Sequence, residues 1–439
     1  MSARFKNWYH YLLALLGAVI YRFPARELYV IGITGTKGKT SSAELTRAML
    51  QAAGKKTAML SSANYAFGEE RNSRSGNTMP GRFAIQRFLR QAVESGCTHA
   101  VLEVTSQGVV QHRHRFIDFD VAALTNLHPE HIESHGSYEA YREAKVTFFR
   151  DVARRSKKFN KKFFINSAII GGDAQFFEQS VMHPTGKGHF GEVIFYSREN
   201  FVRNELGGDK TRVSDWLQSD FNLENAALAA EIGKELGVTR ETMLGVCASF
   251  AGVDGRLEFI RGNNRTVVVD YALTPESLRS LYGYLQSVIA STRSNPGSSS
   301  QLDRHGAAAS RDDRQGGRLI AVFGSAGGGR DTWKRPELGR IAGKYCDLIY
   351  LTSDDSYDEN PEEIIADIKK GIQDAHKCRI VVDRAEAIKE AIEAAEPGDI
   401  VAITGMGSQA YTYGPGGKKT EWSDRKEVER VLGELAGSP

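Results

Sequence analysis

The sequence is poor in cysteine, almost balanced in charge and short of long apolar runs. Its four cysteines, Cys97, Cys247, Cys346 and Cys378, lie far apart and form no CxxC pair. That argues against a disulfide framework or a zinc site, and a reducing cytoplasm fits. The 57 basic and 54 acidic residues leave a net charge of +3, too even to argue for a nucleic-acid partner. One apolar stretch, "YLLALLGAVIY" at 11–21, has Arg4 and Lys6 before it and Arg22 after it. It is too short to span a bilayer. It lacks the small-residue cleavage site of a signal peptide, and the fold is expected to continue directly at Phe23-Pro24. A hydrophobic helix over 1–27, packed on the first domain, is expected, with peripheral membrane contact as the alternative. No internal repeat is present.

What remains is an ordinary globular composition, 41% hydrophobic and 25% charged. A chain of 439 residues is too long for one core, so two or three domains are expected. Strand-like runs alternate with helical patterns almost throughout, the mark of an α/β fold. "LYVIGIT", "HAVLEV" (99–104), "VAALTNL" (121–127) and "KFFIN" (162–166) read as strands. Helices are expected near 40–53, at 137–155 and at 222–237. Short apolar runs ending in polar residues suit buried parallel strands whose C-terminal ends carry the chemistry. A second α/β unit starts near Gly255, with strands "TVVVDYA" (266–272), "RLIAVFG" (318–324), "LIYLTSD" (348–354), "RIVVD" (379–383) and "DIVAITG" (399–405). Residues 291–317 are rich in Ser, Gly and Arg and are expected to form a flexible surface insertion.

The chemistry starts at "IGITGTKGKTSSAEL", residues 31–45, where a strand meets a glycine-broken turn and then a helix. Gly35 and Gly38 let backbone N–H groups turn around phosphate oxygens. Lys39 supplies a point charge, held as a solvent-facing ammonium, and Thr40 a hydroxyl for Mg²⁺. The strict P-loop spacing wants glycine where Ile33 stands. Glu103, at the end of "AVLEV", either reaches a loop-held Mg²⁺ or serves as a cap or salt bridge. His131 and His135 are four apart, so a helix would put them on one face, as a metal pair or as two solvated histidines. Lys145, in "YREAKVTFF", reads by itself as a solvated or snorkelling lysine.

Taken together, "GITGTKGKTS", "LEVTSQGVVQHR", "LTNLHPEHIESHGSYEAYREAK", "NLENAALAA", "GRLEF", "DYALTP", "GRDTWKRP" and "GDIVAITGMG" resemble the Mur ligases, in the same order along the chain. Among these the tripeptide synthetases are most similar, over about residues 28 to 430. The family loop reads TGTxGK[ST], which accounts for Ile33. The resemblance implies a P-loop-containing parallel-sheet ATPase domain at 28–254 and a Rossmann-like α/β domain at 255–439. It implies that Gly35, Thr36, Lys37, Gly38, Lys39 and Thr40 cradle ATP, with Asn126 by the γ-phosphate. Thr40, Glu103 and His131 would hold Mg²⁺. Lys145 matches the family's carbamylated lysine, where CO₂ turns a cation into an anion able to face a second Mg²⁺. Thr78, Thr105, Gln111 and Arg113 match positions contacting a UDP-MurNAc-dipeptide. Asn225, Arg256, Asp270 and Tyr271 match ATP-side positions, the last three brought in by the closing C-terminal domain. Lys39, Lys145 and His131 would carry the catalysis. The implied reaction is amide ligation: a carboxylate attacks the γ-phosphate, and an amine then displaces phosphate from the acyl phosphate. A cytoplasmic monomer is expected.

The chain also departs from that pattern. Some 27 residues precede the first strand, where the tripeptide synthetases carry a separate UDP-binding domain. In this respect the chain resembles folylpolyglutamate synthase. The diaminopimelate motif DNPR becomes Asp354-Asp355-Ser356-Tyr357, so Tyr357 stands in the place of Arg. KGHE becomes Met406-Gly407-Ser408-Gln409, and Leu273 replaces a His. Asp354 and Gln409 remain the expected amino-acid contacts. With Arg lost at 357, diaminopimelate is expected to be held poorly unless Arg330 or Lys334 takes its place. The alternatives are a Mur-type ligase with a folate or cyanophycin-like acceptor, and a non-catalytic scaffold. The intact Lys39, Glu103, His131 and Lys145 argue against a scaffold.

Overall fold

The computed structural model describes residues 3–73, 78–130, 132–154, 161–169, 177, 191–294 and 316–437. The chain divides into two compact units, Met1–Gly252 and Val253–Pro439.

The first unit is built on an eight-stranded sheet. Its strands are β1 (Tyr29–Thr34), β2 (Thr57–Leu60), β3 (Asn64–Phe67), β4 (Glu70–Ser73), β5 (His99–Glu103), β6 (Val121–Leu124), β7 (Lys161–Asn166) and β8 (Gly191–Tyr196). They lie in the order β4-β3-β2-β5-β1-β6-β7-β8. From β2 to β8 every pair is parallel, and β3 and β4 add an antiparallel edge. β6 is buried along its whole length, β5 beyond His99 and β1 beyond Tyr29. A strand covered on both faces has no polar side to show, which is why these segments read as unbroken apolar runs. β1 sits between β5 and β6: the chain runs from β1 to β2 on the β5 side and later crosses from β5 to β6 on the other. The crevice at such a reversal is where α/β sheets place ligands.

Helix α1 (Ala3–Ile20) lies against α3 (Arg82–Glu94): Ala14 and Ala18 are buried, and a Cβ on Gly17 would touch the Arg82 carbonyl at 3.5 Å. Thus the N-terminal stretch is a helix packed on the first unit. Among the described residues no helix is long and apolar enough to cross a membrane. α2 (Lys39–Ala52) starts at the β1 loop, and α4 (Ser106–Val110) and α5 (Ile132–His135) are short. α6 (Tyr138–Arg154) buries Tyr141, Ala144, Lys145, Phe148, Phe149 and Val152. That 3.6-residue period forms one stripe, and it takes Lys145 inward together with its apolar neighbours. Phe148 meets Phe119 edge-on, and Phe149 tilts onto Phe163 of β7.

The second unit carries β9 (Glu258–Gly262), β10 (Arg265–Asp270), β11 (Leu319–Phe323), β12 (Leu348–Leu351), β13 (Cys378–Ile380) and β14 (Ile400–Thr404). Their order is β13-β12-β11-β14-β10-β9, parallel except for the edge pair β10–β9. Several strands end earlier than their apolar runs. β6 stops at Leu124, β12 at Leu351 and β13 at Ile380, because the following residues turn out of the ladder into loops. The helix Pro275–Ser294 also runs into the region read as insertion, and 295–315 lies outside the described residues.

Candidate active site

The C-terminal ends of β1, β5 and β6 carry the loop Gly35–Lys39, Glu103–Thr105 and Thr125–Asn126. Two glycines fix the loop's shape. Gly35 has φ +150°, and a Cβ there would lie 1.8 Å from Thr125 Oγ1. Gly38 has φ +81°, and its Cβ would lie 2.3 Å from Asn225 Oδ1. Both positions combine a left-handed backbone with no room for a side chain. Gly35→Ala is therefore expected to weaken ATP binding by roughly tenfold or more and to lower the melting temperature. An ATP titration and a thermal melt check both.

The loop is tied down from β6. Thr36 N donates to Asn126 O (3.1 Å) and Lys37 N to Asn126 Oδ1 (2.8 Å). Asn126 Nδ2 and Thr125 Oγ1 both donate to Lys37 O, at 3.1 and 2.6 Å. Thr36 Oγ1 pairs with Tyr141 OH at 2.9 Å, and Lys37 Nζ with Glu130 at 2.8 Å. Thr36, Lys37 and Asn126 thus shape the loop through their own contacts. The first turn of α2, with its intrahelically unsatisfied amides and dipole, can donate to a phosphate chain. Asn225 supports that turn from the helix Asp220–Glu235, accepting from Ser42 Oγ at 3.1 Å.

Two lysines converge on one carbonyl. Lys39 Nζ donates to Gly35 O and Thr36 O, each at 2.9 Å, so it is folded onto the loop, contrary to the solvent-facing ammonium expected. Lys145 Nζ also donates to Gly35 O, at 2.9 Å, and lies 4.7 Å from the centre of the Tyr141 ring. Lys145 is 1% exposed. Burial holds its ammonium well below the ordinary lysine range; Lys39 depresses it further, and Glu130 opposes the shift. The bare sequence reading of a solvated lysine is corrected: the α6 stripe buries it.

Thr40 Oγ1 lies 2.9 Å from Ser62 Oγ, and Ser62 N donates to Glu103 Oε1 at 2.9 Å. A hydroxyl and a buried carboxylate, bridged by one serine, make a hard oxygen donor set of the kind Mg²⁺ takes. Ser62 was missed in the sequence. It follows β2, the strand beside β5, so the strand-end rule would have found it had β2 been read. His131 lies outside the described residues. His135 ends α5, and its Nε2 is 3.0 Å from Ser106 Oγ.

A second cluster gathers the expected acceptor contacts. Arg113 donates to Gln111 Oε1 at 3.1 and 2.7 Å and to the carbonyl of Met79, next to Thr78. Arg82 donates twice to Gln111 O, at 3.0 and 2.7 Å. Thr105 Oγ1 caps α4 by accepting from Gly108 N at 3.0 Å.

In the second unit, side chains collect at the C-terminal ends of β10, β14, β11 and β12. The Arg256 guanidinium lies 4.3 Å over the Tyr271 ring, and Asp270 Oδ2 accepts from Leu257 N at 2.6 Å. Gln409 Nε2 reaches Tyr271 OH at 3.4 Å, while its buried Oε1 has no hydrogen-bond partner. Asp354 Oδ1 accepts from Asp355 N at 2.7 Å. Burial, aided by Asp354, pushes Asp355 up to about 6. Tyr357 has φ +50°, stacks on Tyr413 (5.6 Å, 16°) and carries the Arg330 guanidinium 4.5 Å above its ring. Arg330, one of the two residues the sequence offered in place of the missing Arg, thus sets a guanidinium beside Tyr357.

The chain matches the family model described as the Mur ligase middle domain over residues 33–232, and that of the Mur ligase glutamate ligase domain over 302–407. It is 34% identical to a UDP-N-acetylmuramoyl-L-alanyl-D-glutamate--2,6-diaminopimelate ligase of Synechococcus elongatus, covering 95% of this chain and 79% of that protein. It is 32% identical to a UDP-N-acetylmuramyl-tripeptide synthetase of a Roseiflexus species, covering 96% and 82%. A solved UDP-N-acetylmuramoyl-L-alanyl-D-glutamate--2,6-diaminopimelate ligase superposes with a TM-score of 0.56 at 25% identity, over 94% of this chain and 79% of that one. A bifunctional folylpolyglutamate synthase/dihydrofolate synthase of Yersinia pestis gives 0.65 at 16% identity, over 97% and 95%, a likeness of fold.

Proposed function

The chain belongs to the Mur ligase family, and on that premise we propose that it joins an amino acid to a UDP-MurNAc-dipeptide at the expense of ATP, in peptidoglycan precursor synthesis. The observation that carries this reading is the convergence of Lys39 and Lys145 on the Gly35 carbonyl, beside the Thr40–Ser62–Glu103 oxygens.

The acceptor carboxylate attacks the γ-phosphorus of ATP and releases ADP. The amine of the incoming amino acid then attacks the acyl carbon, loses a proton and expels inorganic phosphate. The α2 N-terminus and Lys39 hold the phosphate chain and balance its charge. Thr40 and Glu103, with His131, would hold the divalent metal, which when bound withdraws charge from the phosphoryl group. Lys145 is well suited to carbamylation. Burial favours the neutral amine, and it is the neutral amine that attacks dissolved CO₂, giving up one proton to leave a carbamate anion. Gln111, Arg113 and Thr78 are assigned to the acceptor, and Asp354 and Gln409 to the amino acid. A cytoplasmic monomer touching the membrane through α1 completes the reading.

Phosphate release with ATP, Mg²⁺ and a panel of acceptors tests it. Turnover is expected with the UDP-MurNAc-dipeptide; turnover with a folate acceptor alone would favour the folylpolyglutamate-like reading. Arg330, stacked over Tyr357, offers a distal carboxylate on the amino acid the guanidinium that position 357 lacks. Arg330→Ala is expected to lower kcat/KM for meso-diaminopimelate by about tenfold or more, with lysine changed far less. Initial rates with both amino acids check this, and equal losses for the two would remove Arg330 from the pocket.

A further inference from the structure

Helix α1 wears its amphipathicity inside out. Its small residues face the protein: Ala14 and Ala18 are 1% and 0% exposed, and Gly17 sits on the Arg82 backbone. Four of its large apolar residues face outward, with Leu13 and Leu15 half-buried: Leu12 is 38% exposed, Leu16 50%, Val19 52% and Ile20 55%. Trp8 and Tyr9 extend the same surface, at 59% and 47%. Six of the eleven large hydrophobic side chains exposed among the described residues are on this one helix, so the patch is not the usual scatter of single exposed residues. Burial in the unit's own core would have put leucine inward and alanine outward.

Charge narrows the occupant. The first 26 residues hold Arg4, Lys6, Arg22 and Arg26 and no acidic residue. Arg22, Arg26 and, on α3, Arg87 are exposed, Arg26 with Asp118 3.5 Å from it. Glu27, the first acidic residue of the sequence, is paired with Arg90 at 2.8 Å. A basic rim around Leu, Val and Ile, with Trp and Tyr at one end, matches the interfacial zone of an anionic bilayer. An 18-residue helix backed by protein is suited to lie in that zone and not to cross it.

We propose that α1 docks the protein on an anionic membrane surface, its Leu12–Leu16–Val19–Ile20 stripe entering the headgroup boundary. Tyr11 of α1 packs edge-on against His112 (5.9 Å) and Phe116 (5.1 Å), and Asn7 bonds to His112. His112 lies between Gln111 and Arg113. Docking therefore sets the proposed acceptor cluster beside the bilayer. The docking itself does not depend on the ligase reading.

The test is flotation of the full chain with phosphatidylcholine vesicles, with and without phosphatidylglycerol, and with a Leu12→Ser/Leu16→Ser/Val19→Ser variant. All three side chains are outward, so the variant is expected to keep the wild-type melting temperature. The wild type is expected to float with the anionic vesicles, about tenfold more tightly than the variant, and to be released by salt. Arg22→Glu/Arg26→Glu is expected to lose the phosphatidylglycerol preference. The proposal is overturned by a wild type that does not float, by a triple variant that floats equally well, or by equal binding to neutral vesicles. Wild-type dimers that the triple variant cannot form, seen by sedimentation velocity without lipid, would assign the stripe to a second copy instead.

Discussion

Lys39→Ala is expected to lower turnover roughly a thousandfold while the protein still folds. Lys39 is proposed as the cation of the phosphate loop, and its ammonium donates to two loop carbonyls, Gly35 O and Thr36 O. Those carbonyls are poor permanent partners for a full charge. A phosphate chain in the loop competes for the same ammonium and gains a point charge next to the bond being broken. Removing it takes away stabilisation that grows as charge moves onto the transferred phosphoryl group, so the loss falls on kcat as well as on binding. The loop keeps its shape through Asn126, Thr125 and Tyr141, so the melting temperature is expected to stay close to that of the wild type. Normal turnover by the mutant, with ATP still bound tightly, would remove the phosphate role from this loop.

Lys145→Ala is expected to be nearly inactive, and short carboxylates added to the solution are expected to restore part of the rate. The side chain is fully enclosed beneath the loop, on the stripe of α6 that carries Phe148 and Phe149. A core that wanted only packing would hold a methionine there, since a buried ammonium is costly. The fold instead keeps an amine whose charged form burial disfavours, and CO₂ reacts with the neutral form. Truncation to alanine also leaves a cavity, with a cost of about 2–5 kcal/mol. Lys145→Met separates the two effects. It retains the volume, so it is expected to melt like the wild type and still to lack activity. A Lys145→Met enzyme that ligates at the wild-type rate would leave the lysine without a chemical role.

How much of this was legible in the chain differs from one residue to the next. The β1–loop–α2 unit was readable because strand, glycine turn and helix are contiguous, and each has its own local signal. Glu103 was readable because it ends a strand whose two buried faces leave an unbroken apolar run. The supports of the site were not. Lys37 meets Glu130 across 93 positions and Thr36 meets Tyr141 across 105, and no periodicity encodes such pairs. Ser62 follows a strand of four residues, too short to stand out from its surroundings. Arg330 and Lys334 were both legible as stand-ins for the missing Arg, and the stacking on Tyr357 distinguishes Arg330. The α1 helix was visible as an apolar run, but which of its faces turns outward depends on α3, more than sixty residues away in the sequence.

The account stands most directly on where the phosphoryl group goes. An acceptor UDP-MurNAc-dipeptide labelled with heavy oxygen in its terminal carboxylate, incubated with the enzyme, ATP, Mg²⁺ and the amino acid, reports this by mass spectrometry of the phosphate released. The account predicts that ADP forms only when the acceptor is present, and that the released phosphate carries one heavy oxygen from the carboxylate. Unlabelled phosphate accompanying product formation, or ATP breakdown that proceeds equally without the acceptor, would contradict it.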